Sequence, residues 1–395
     1  MHVFTSVTAN YLPKAAALAH SVKRVHPEAV FHLVLSDAMP ACDPIVTRAF
    51  DTVITAEQLP IPNLPRFLFR HRIVELCTAV KGAAFQYIAD VHKAERIYYF
   101  DPDIIVAGRL DGLQRALDRD SVLLTPHSIA PEPSSDVQAM IDNERTALKH
   151  GSYNLGFLAV KTDAAGRRLI DWWADRLQRW CYDDVPDGLF TDQRWMDLAP
   201  SMFDGVRIVR DPQYNVSTWN LSHRRATGES PYAIMIDGRP LAFYHFSGFD
   251  SGAQLTMLKR YGSHSPVLFE FRDWYVAECR RYGQETLGET PCVHTRYKSG
   301  LPIEDDHRRV YRSREDLVAY FADPFDDSTP ETSYLHWYRT HVESRAAPPS
   351  AVATTPAPTS PPSLRRLVKR HAPEPALRAY RAARSAWRGL SDRRG

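Results

Sequence analysis

The chain has 395 residues, with 49 Lys/Arg against 47 Asp/Glu and 44% apolar side chains. This is the composition of a globular protein with room for one large domain plus appendages, or for two domains. No apolar run approaches the ~18 residues of a membrane span. The five cysteines (Cys42, Cys77, Cys181, Cys279, Cys292) are scattered and form no C-x-x-C pair. A zinc site or disulfide framework is therefore not expected, and a reducing cytoplasm is. Charge is uneven along the chain: residues 346–395 hold ten Lys/Arg and two Asp/Glu, a local +8 within a total of +2.

Met1–Val7 lacks the basic and long apolar regions of a signal peptide and reads as a first strand. Pro13–Val25 reads as a helix with proline in its first turn. Val30–Leu35 and Thr52–Thr55 are further strands, and Arg70–Ala89 has helical spacing. The run Arg96–Val106 is apolar, β-branched and aromatic, and a short strand follows at Ser121–Thr125. Strands alternating with helices in this way predict a mainly parallel sheet covered by helices. Tyr153–Val160 reads as a strand, Asp163–Cys181 as an amphipathic helix with its tryptophans in the core, and Leu241–Phe246 as another strand. Residues 265–345 are expected to form a small helical C-terminal appendage to a main domain of 1–264. Residues 346–363 read as a disordered Pro/Ala/Ser/Thr linker. In 364–395, Leu377, Tyr380, Ala383, Trp387 and Leu390 oppose Arg378, Arg381, Arg384 and Arg388 at helical spacing. A basic amphipathic tail of this kind suits peripheral contact with an anionic membrane, at the inner face of the plasma membrane. Its alternative is a solvated tail. No nucleic-acid-binding module is recognisable, and the body that precedes the tail is acidic.

The chemistry begins at Asp101-Pro102-Asp103. Buried carboxylates need compensation. Residues two apart in an extended segment point to one side, so Asp101 and Asp103 can share a divalent cation. Pro102 donates no N–H, so the ladder must stop or run at an edge there. His245-Phe246-Ser247-Gly248 closes a later strand. A histidine after four apolar residues is ordinarily a satisfied core residue, but beside an Asp-x-Asp it becomes a third metal ligand. Two carboxylates, an imidazole and phosphate oxygens suit Mn²⁺, or Mg²⁺. Gly248 would let backbone approach a phosphate. Asn154, in Tyr153-Asn154-Leu155-Gly156, and the pair Asp192-Gln193 are candidates for a sugar. Their simpler readings are a turn amide and a helix N-cap. Thr8, Asn10 and Tyr11 directly follow the first strand, where a doubly wound sheet receives a nucleotide.

In order and spacing these five features resemble nucleotide-sugar glycosyltransferases of the GT-A (Rossmann-like) fold. The nearest likeness is to glycosyltransferase family 8, the glycogenin and bacterial lipopolysaccharide galactosyl/glucosyltransferase group. The resemblance covers residues 1–250. It implies that Asp101, Asp103 and His245 hold the metal, that Asn154, Asp192 and Gln193 hold the donor sugar, and that Thr8, Asn10 and Tyr11 hold the nucleoside. Lys81 is the candidate for the family's basic residue upstream of Asp-x-Asp. The family's Lys-Pro-Trp after His-x-x-Gly is missing, because Phe249-Asp250-Ser251-Gly252 follows instead, and Lys259 is the nearest downstream lysine. The implied activity is retaining transfer of a hexose from a UDP-sugar to a hydroxyl of a glycan or glycolipid acceptor, in surface polysaccharide assembly. Two other classes compete. A HAD-like phosphatase also sets Asp-x-Asp at a strand end, but usually at the N-terminal one. A non-catalytic nucleotide-sugar- or glycan-binding protein would have no need of the full acidic set.

Overall fold

A computed structural model describes residues 1–344. The expected linker 346–363 and basic tail 364–395 lie outside the described residues. The principal strands are β1 (His2–Val7), β2 (Val30–Leu35), β3 (Thr52–Thr55), β4 (Arg96–Phe100), β5 (Ile104–Val106), β6 (Val122–Pro126), β7 (Tyr153–Lys161), β8 (Val206–Ile208) and β9 (Phe243–His245). Seven of them form one sheet in the order β8-β6-β7-β4-β1-β2-β3. β1 runs parallel to β2 and β4, β2 to β3, and β6 to β8. β7 runs antiparallel to both of its neighbours, β4 and β6. The result is a mixed, mainly parallel sheet flanked by helices, as the alternating pattern predicts.

Both faces of the sheet are covered, which is why β1 and β4 are buried almost throughout. On one face lies the helix Leu12–Val25, whose Ala15–Ala19 segment is small enough to be buried between the sheet and neighbouring chain. The helix Val267–Arg281 joins the same core through Leu268, Phe271 and Tyr275. Tyr275 stacks on Phe246 with ring centroids 4.0 Å apart. On the other face, Lys81–Val91 and Ala164–Trp180 contribute Phe85, Ile88, Leu169, Trp173 and Leu177. Asp163 caps the second of these, accepting from the Gly166 amide at 3.0 Å. Trp173 is fully buried, whereas Trp180 is exposed and stacks on Trp195.

The region expected to be one helix over Arg70–Ala89 holds the end of one helix, Leu64–Arg70, and two further helices, Ile73–Ala79 and Lys81–Val91. His71 and Arg72 between the first two are extended. The cause is distant in sequence. The buried Arg308 guanidinium takes the carbonyls of Leu68, Phe69 and His71 at 3.3, 2.6 and 2.9 Å, satisfying groups that would otherwise continue the helix. Arg308 belongs to the helix Asp305–Arg312, which gathers with Glu315–Tyr320 and Tyr334–Tyr338 around Phe69. Residues beyond 264 therefore serve two cores, and Met1–Val342 form one compact unit. No helix of the described residues is long and apolar enough to cross a membrane.

At the amino ends of the strands, His32 bonds His2 at 2.9 Å and the Thr52 hydroxyl at 2.6 Å, with His92 packed against it. Burial, then the neighbouring His92 and His2, push the His32 pKa down to about 3. An unfolded chain would bind this proton near pH ~6.5. Between those values the unfolded state holds the extra proton, so stability falls as pH drops below ~6.5, by about 1.4 kcal/mol per pH unit for one proton. Urea unfolding between about pH 5.5 and 4.5 should include this slope, and His32→Asn should reduce it by that amount while leaving the part carried by other buried histidines such as His71.

Candidate active site

The site is built where the carboxyl ends of the parallel strands meet the amino end of β7. β4 stops at Phe100, and the chain turns through Asp101-Pro102-Asp103, with the Ile104 amide donating to the Asp101 carbonyl at 3.0 Å. It leaves in β5, which pairs antiparallel with β9 in a second small sheet. In that register His245 stands opposite Ile104. The Phe246 amide donates to the Asp103 carbonyl at 2.9 Å, so the two segments are locked beside each other. The ladder stops at Pro102, as its missing N–H leads one to expect, and the chain changes sheets there.

One oxygen or nitrogen from each of Asp101, Asp103 and His245 lies within 4.8 Å of the others. His245 Nε2 is 3.0 Å from Asp103 and 3.8 Å from Asp101. Its Nδ1 faces the Asn154 amide oxygen at 3.2 Å, which aims Nε2 at the carboxylates. The same oxygen accepts from Asn215 at 3.0 Å and from the Gly156 amide at 3.1 Å. Asn154 thus orients the imidazole, leaving its amino group toward the cavity side, 3.3 Å from His127. Gly156 is needed here: a Cβ would sit 2.4 Å from His245 Cε1. Burial works to raise the Asp103 pKa, but His245, and then Lys14, bring it below the usual carboxylate value. Burial opposes charge on His245, and Asp103 and Asp101 overcome it and raise its pKa.

Lys81 is 1% exposed. Its ammonium donates to Asp192 at 2.9 Å, the Leu155 carbonyl at 3.1 Å and Asp101 at 3.3 Å, and lies 4.1 Å from the Tyr99 ring centroid. Burial favours its neutral form, but Asp101 and Asp192 hold it charged. Burial pushes the Asp192 carboxyl up against the pull of Lys81. Asp192 also accepts from the Thr191 hydroxyl at 3.1 Å rather than capping a helix. Gln193 spends its side chain on backbone, accepting from the Leu155 amide and donating to the His150 carbonyl, both at 3.0 Å. A cavity of about 390 Å³ opens here, lined by Lys81, Asp101, Asn154, Asp192, Gln193 and His245 among others.

The nucleoside candidates form a separate group that does not line this cavity. The Thr8 hydroxyl donates to Asn10 at 2.7 Å, and Tyr11 donates to Asp250 at 2.5 Å. Gly248 takes a left-handed turn at φ 75°, with its carbonyl accepting from the Gln254 amide. Sequence reasoning missed several neighbours. Asp37 follows β2 and accepts from the amides of Ala9 and Val293 at 3.1 and 3.0 Å. Its position just past a parallel strand was the available signal. His127 and Trp219 line the cavity, and the Trp219 ring is edge-on to both His127 and His245. Lys14 and Asp250 pair across 236 residues.

No family model matches the chain. It is 27% identical over 237 residues to the uncharacterized protein YfnF of Bacillus subtilis (strain 168), covering 60% of this chain and 70% of that one. It is 26% identical over 201 residues to the uncharacterized protein YfnD of the same organism, spanning 50% of this chain and 61% of the relative. Among solved structures it is similar to the galactosyltransferase LgtC in complex with donor and acceptor sugar analogs. That match has a TM-score of 0.44 and 16% identity, and covers 72% of this chain and 96% of the other.

Removing Lys81 would leave Asp101 and Asp192 facing each other without a cation. Lys81→Met is expected to cost roughly 3–5 kcal/mol in urea unfolding. Adding Asp192→Leu should recover much of that loss, because an apolar pair replaces a buried ionic one.

Proposed function

We propose that this protein is a glycosyltransferase of the GT-A type, resembling family 8, that moves a hexose from a UDP-sugar to a hydroxyl of a glycan or glycolipid acceptor. The observation that carries this reading is the convergence of Asp101, Asp103 and His245 at the carboxyl edge of the sheet, beside a cavity that also holds Asp192 and Lys81. Open α/β sheets bind ligands at this edge. The donor set fits a hard or borderline divalent ion. A bound Mn²⁺ or Mg²⁺ would act as a Lewis acid that offsets charge on a departing diphosphate.

The chain's own groups have distinct tasks in this reading. Asn154 fixes the His245 ring through Nδ1 and so supports the ligand set. Asp192 offers a negative charge to the cavity, where the anomeric carbon becomes oxocarbenium-like as its bond to the diphosphate breaks. Lys81 keeps the like charges of Asp101 and Asp192 together. Gln193 holds the start of β7 against the segment carrying Asp192. Thr8, Asn10 and Tyr11 receive the nucleoside. Retention of anomeric configuration follows the family-8 resemblance. The polysaccharide role and membrane recruitment through the basic tail are part of the same proposal.

The test is hydrolysis of a panel of nucleotide sugars with and without Mn²⁺. Release of one nucleoside diphosphate is expected from the wild-type protein and not from Asp103→Ala. Asn154→Ala should weaken metal affinity or activity about 10- to 100-fold. Equal behaviour of wild type and Asp103→Ala across the panel would reject the assignment.

A further inference from the structure

We propose that Lys14 is a diphosphate-binding residue of the donor site, and that the Asp250 carboxylate holds the place a phosphate oxygen takes when a donor binds. This rests on the glycosyltransferase reading given above and assigns a residue to it. Lys14 stands in the first turn of Leu12–Val25, three residues after Tyr11, and its side chain is 1% exposed. A buried ammonium requires an anion. Both oxygens of Asp250 lie within reach, at 2.6 and 2.5 Å, and the Tyr11 hydroxyl donates to the same carboxylate.

Asp250 is not a core residue, however. It is 51% exposed and belongs to the short turn that follows His245 and Phe246. Gly248 and Gly252 flank it, both left-handed, at φ 75° and 76°. Phe249, beside it, lies under two cations: Lys14 at 5.7 Å and Arg272 at 5.0 Å from its ring centroid. The turn therefore lays an anion and an aromatic ring over a positively charged floor.

Charge balance separates Lys14 from Lys81, the other lysine buried among the described residues. Lys81 is neutralised by two carboxylates, of which Asp192 is itself buried and cannot withdraw. Lys14 is neutralised by one carboxylate that is half in water and can regain hydration as it leaves. Exchanging Asp250 for a diphosphate keeps an anion on Lys14 throughout, so its ammonium is never buried alone. The segment 246–258 contributes no Lys or Arg, and Lys259 is exposed on the helix Ala253–Tyr261. Lys81 beside Asp101 is already committed to Asp192, so the ammonium left to meet an incoming anion comes from the first helix and not from the segment after His245. Lys14 is tied to the cluster through Asp250, which lies in the turn directly after the strand that ends at His245.

Calorimetric titration of the full chain with inorganic pyrophosphate, UDP and uridine in the presence of Mn²⁺ tests this. Asp250→Asn removes the competing charge and should tighten pyrophosphate and UDP about tenfold, with uridine unchanged. Lys14→Met should weaken both diphosphates by about 10- to 100-fold and again spare uridine. If Lys14→Met does not fold, Lys14→Met/Asp250→Leu removes both charges and should show the same loss. Wild-type binding of UDP that is indifferent to all these substitutions would overturn the assignment of Lys14 alone. Weaker pyrophosphate binding in Asp250→Asn would overturn the displacement by showing that Asp250 assists the ligand. Absence of nucleotide and pyrophosphate binding in every variant, with no donor hydrolysis, would overturn this assignment and the transferase reading together.

Discussion

Lys81 between Asp101 and Asp192 is the interaction on which the site depends. At the carboxyl edge of the sheet three acids, a histidine and a lysine form a chain of ion pairs no longer than 3.8 Å. Carboxylates this close and this buried repel, and in a low-dielectric setting the repulsion is several-fold stronger than in water. One buried cation, sharing its protons between Asp101 and Asp192, makes the arrangement tolerable. Lys81 is buried because its helix packs on Ala164–Trp180, so the charge balance of the site is built from the core outward. Asp103 lies outside that pair and leans on His245.

The single antiparallel interior strand, β7, has a specific consequence. In a wholly parallel sheet the carboxyl edge would present strand ends only. Reversing β7 brings its start, with Asn154 and Gly156, to that edge beside the end of β4. The Asp101 amide then donates to the Gly156 carbonyl at 2.8 Å, and the missing side chain of Gly156 admits the His245 imidazole. The topology thus supplies both the room for the histidine and the amide oxygen that turns it.

Much of this was legible because the signals are local. Asp-x-Asp after an apolar run, a histidine ending a strand, and polar residues just past β1 each sit where the alternating pattern puts the ligand edge. The alternation itself predicts the sheet. What was not legible is non-local. Arg308 takes carbonyls at the end of Leu64–Arg70, where the expected helix was to begin, and no spacing rule links residue 308 to them. The aromatic residues of 297–338 read as generic helix, whereas their arrangement is dictated by Phe69. Asn154 and Gln193 read as candidates for a donor sugar, yet much of their hydrogen-bonding capacity is committed to His245 and to backbone. Lys14 drew no attention in the sequence, because its partner is 236 residues away.

That last pair shows how the two halves of the site are connected. Thr8, Asn10 and Tyr11 follow β1, whereas the acid cluster follows β4 and β9. β1 and β4 are adjacent, so the two groups are neighbours in the sheet, but the direct side-chain link runs through Asp250. Tyr11 and Lys14 on one side both hold a carboxylate whose own chain begins at His245 on the other. Asp250 thus lies between the Thr8–Tyr11 group and the acid cluster. A phosphate chain is a species whose charge matches what it would displace there.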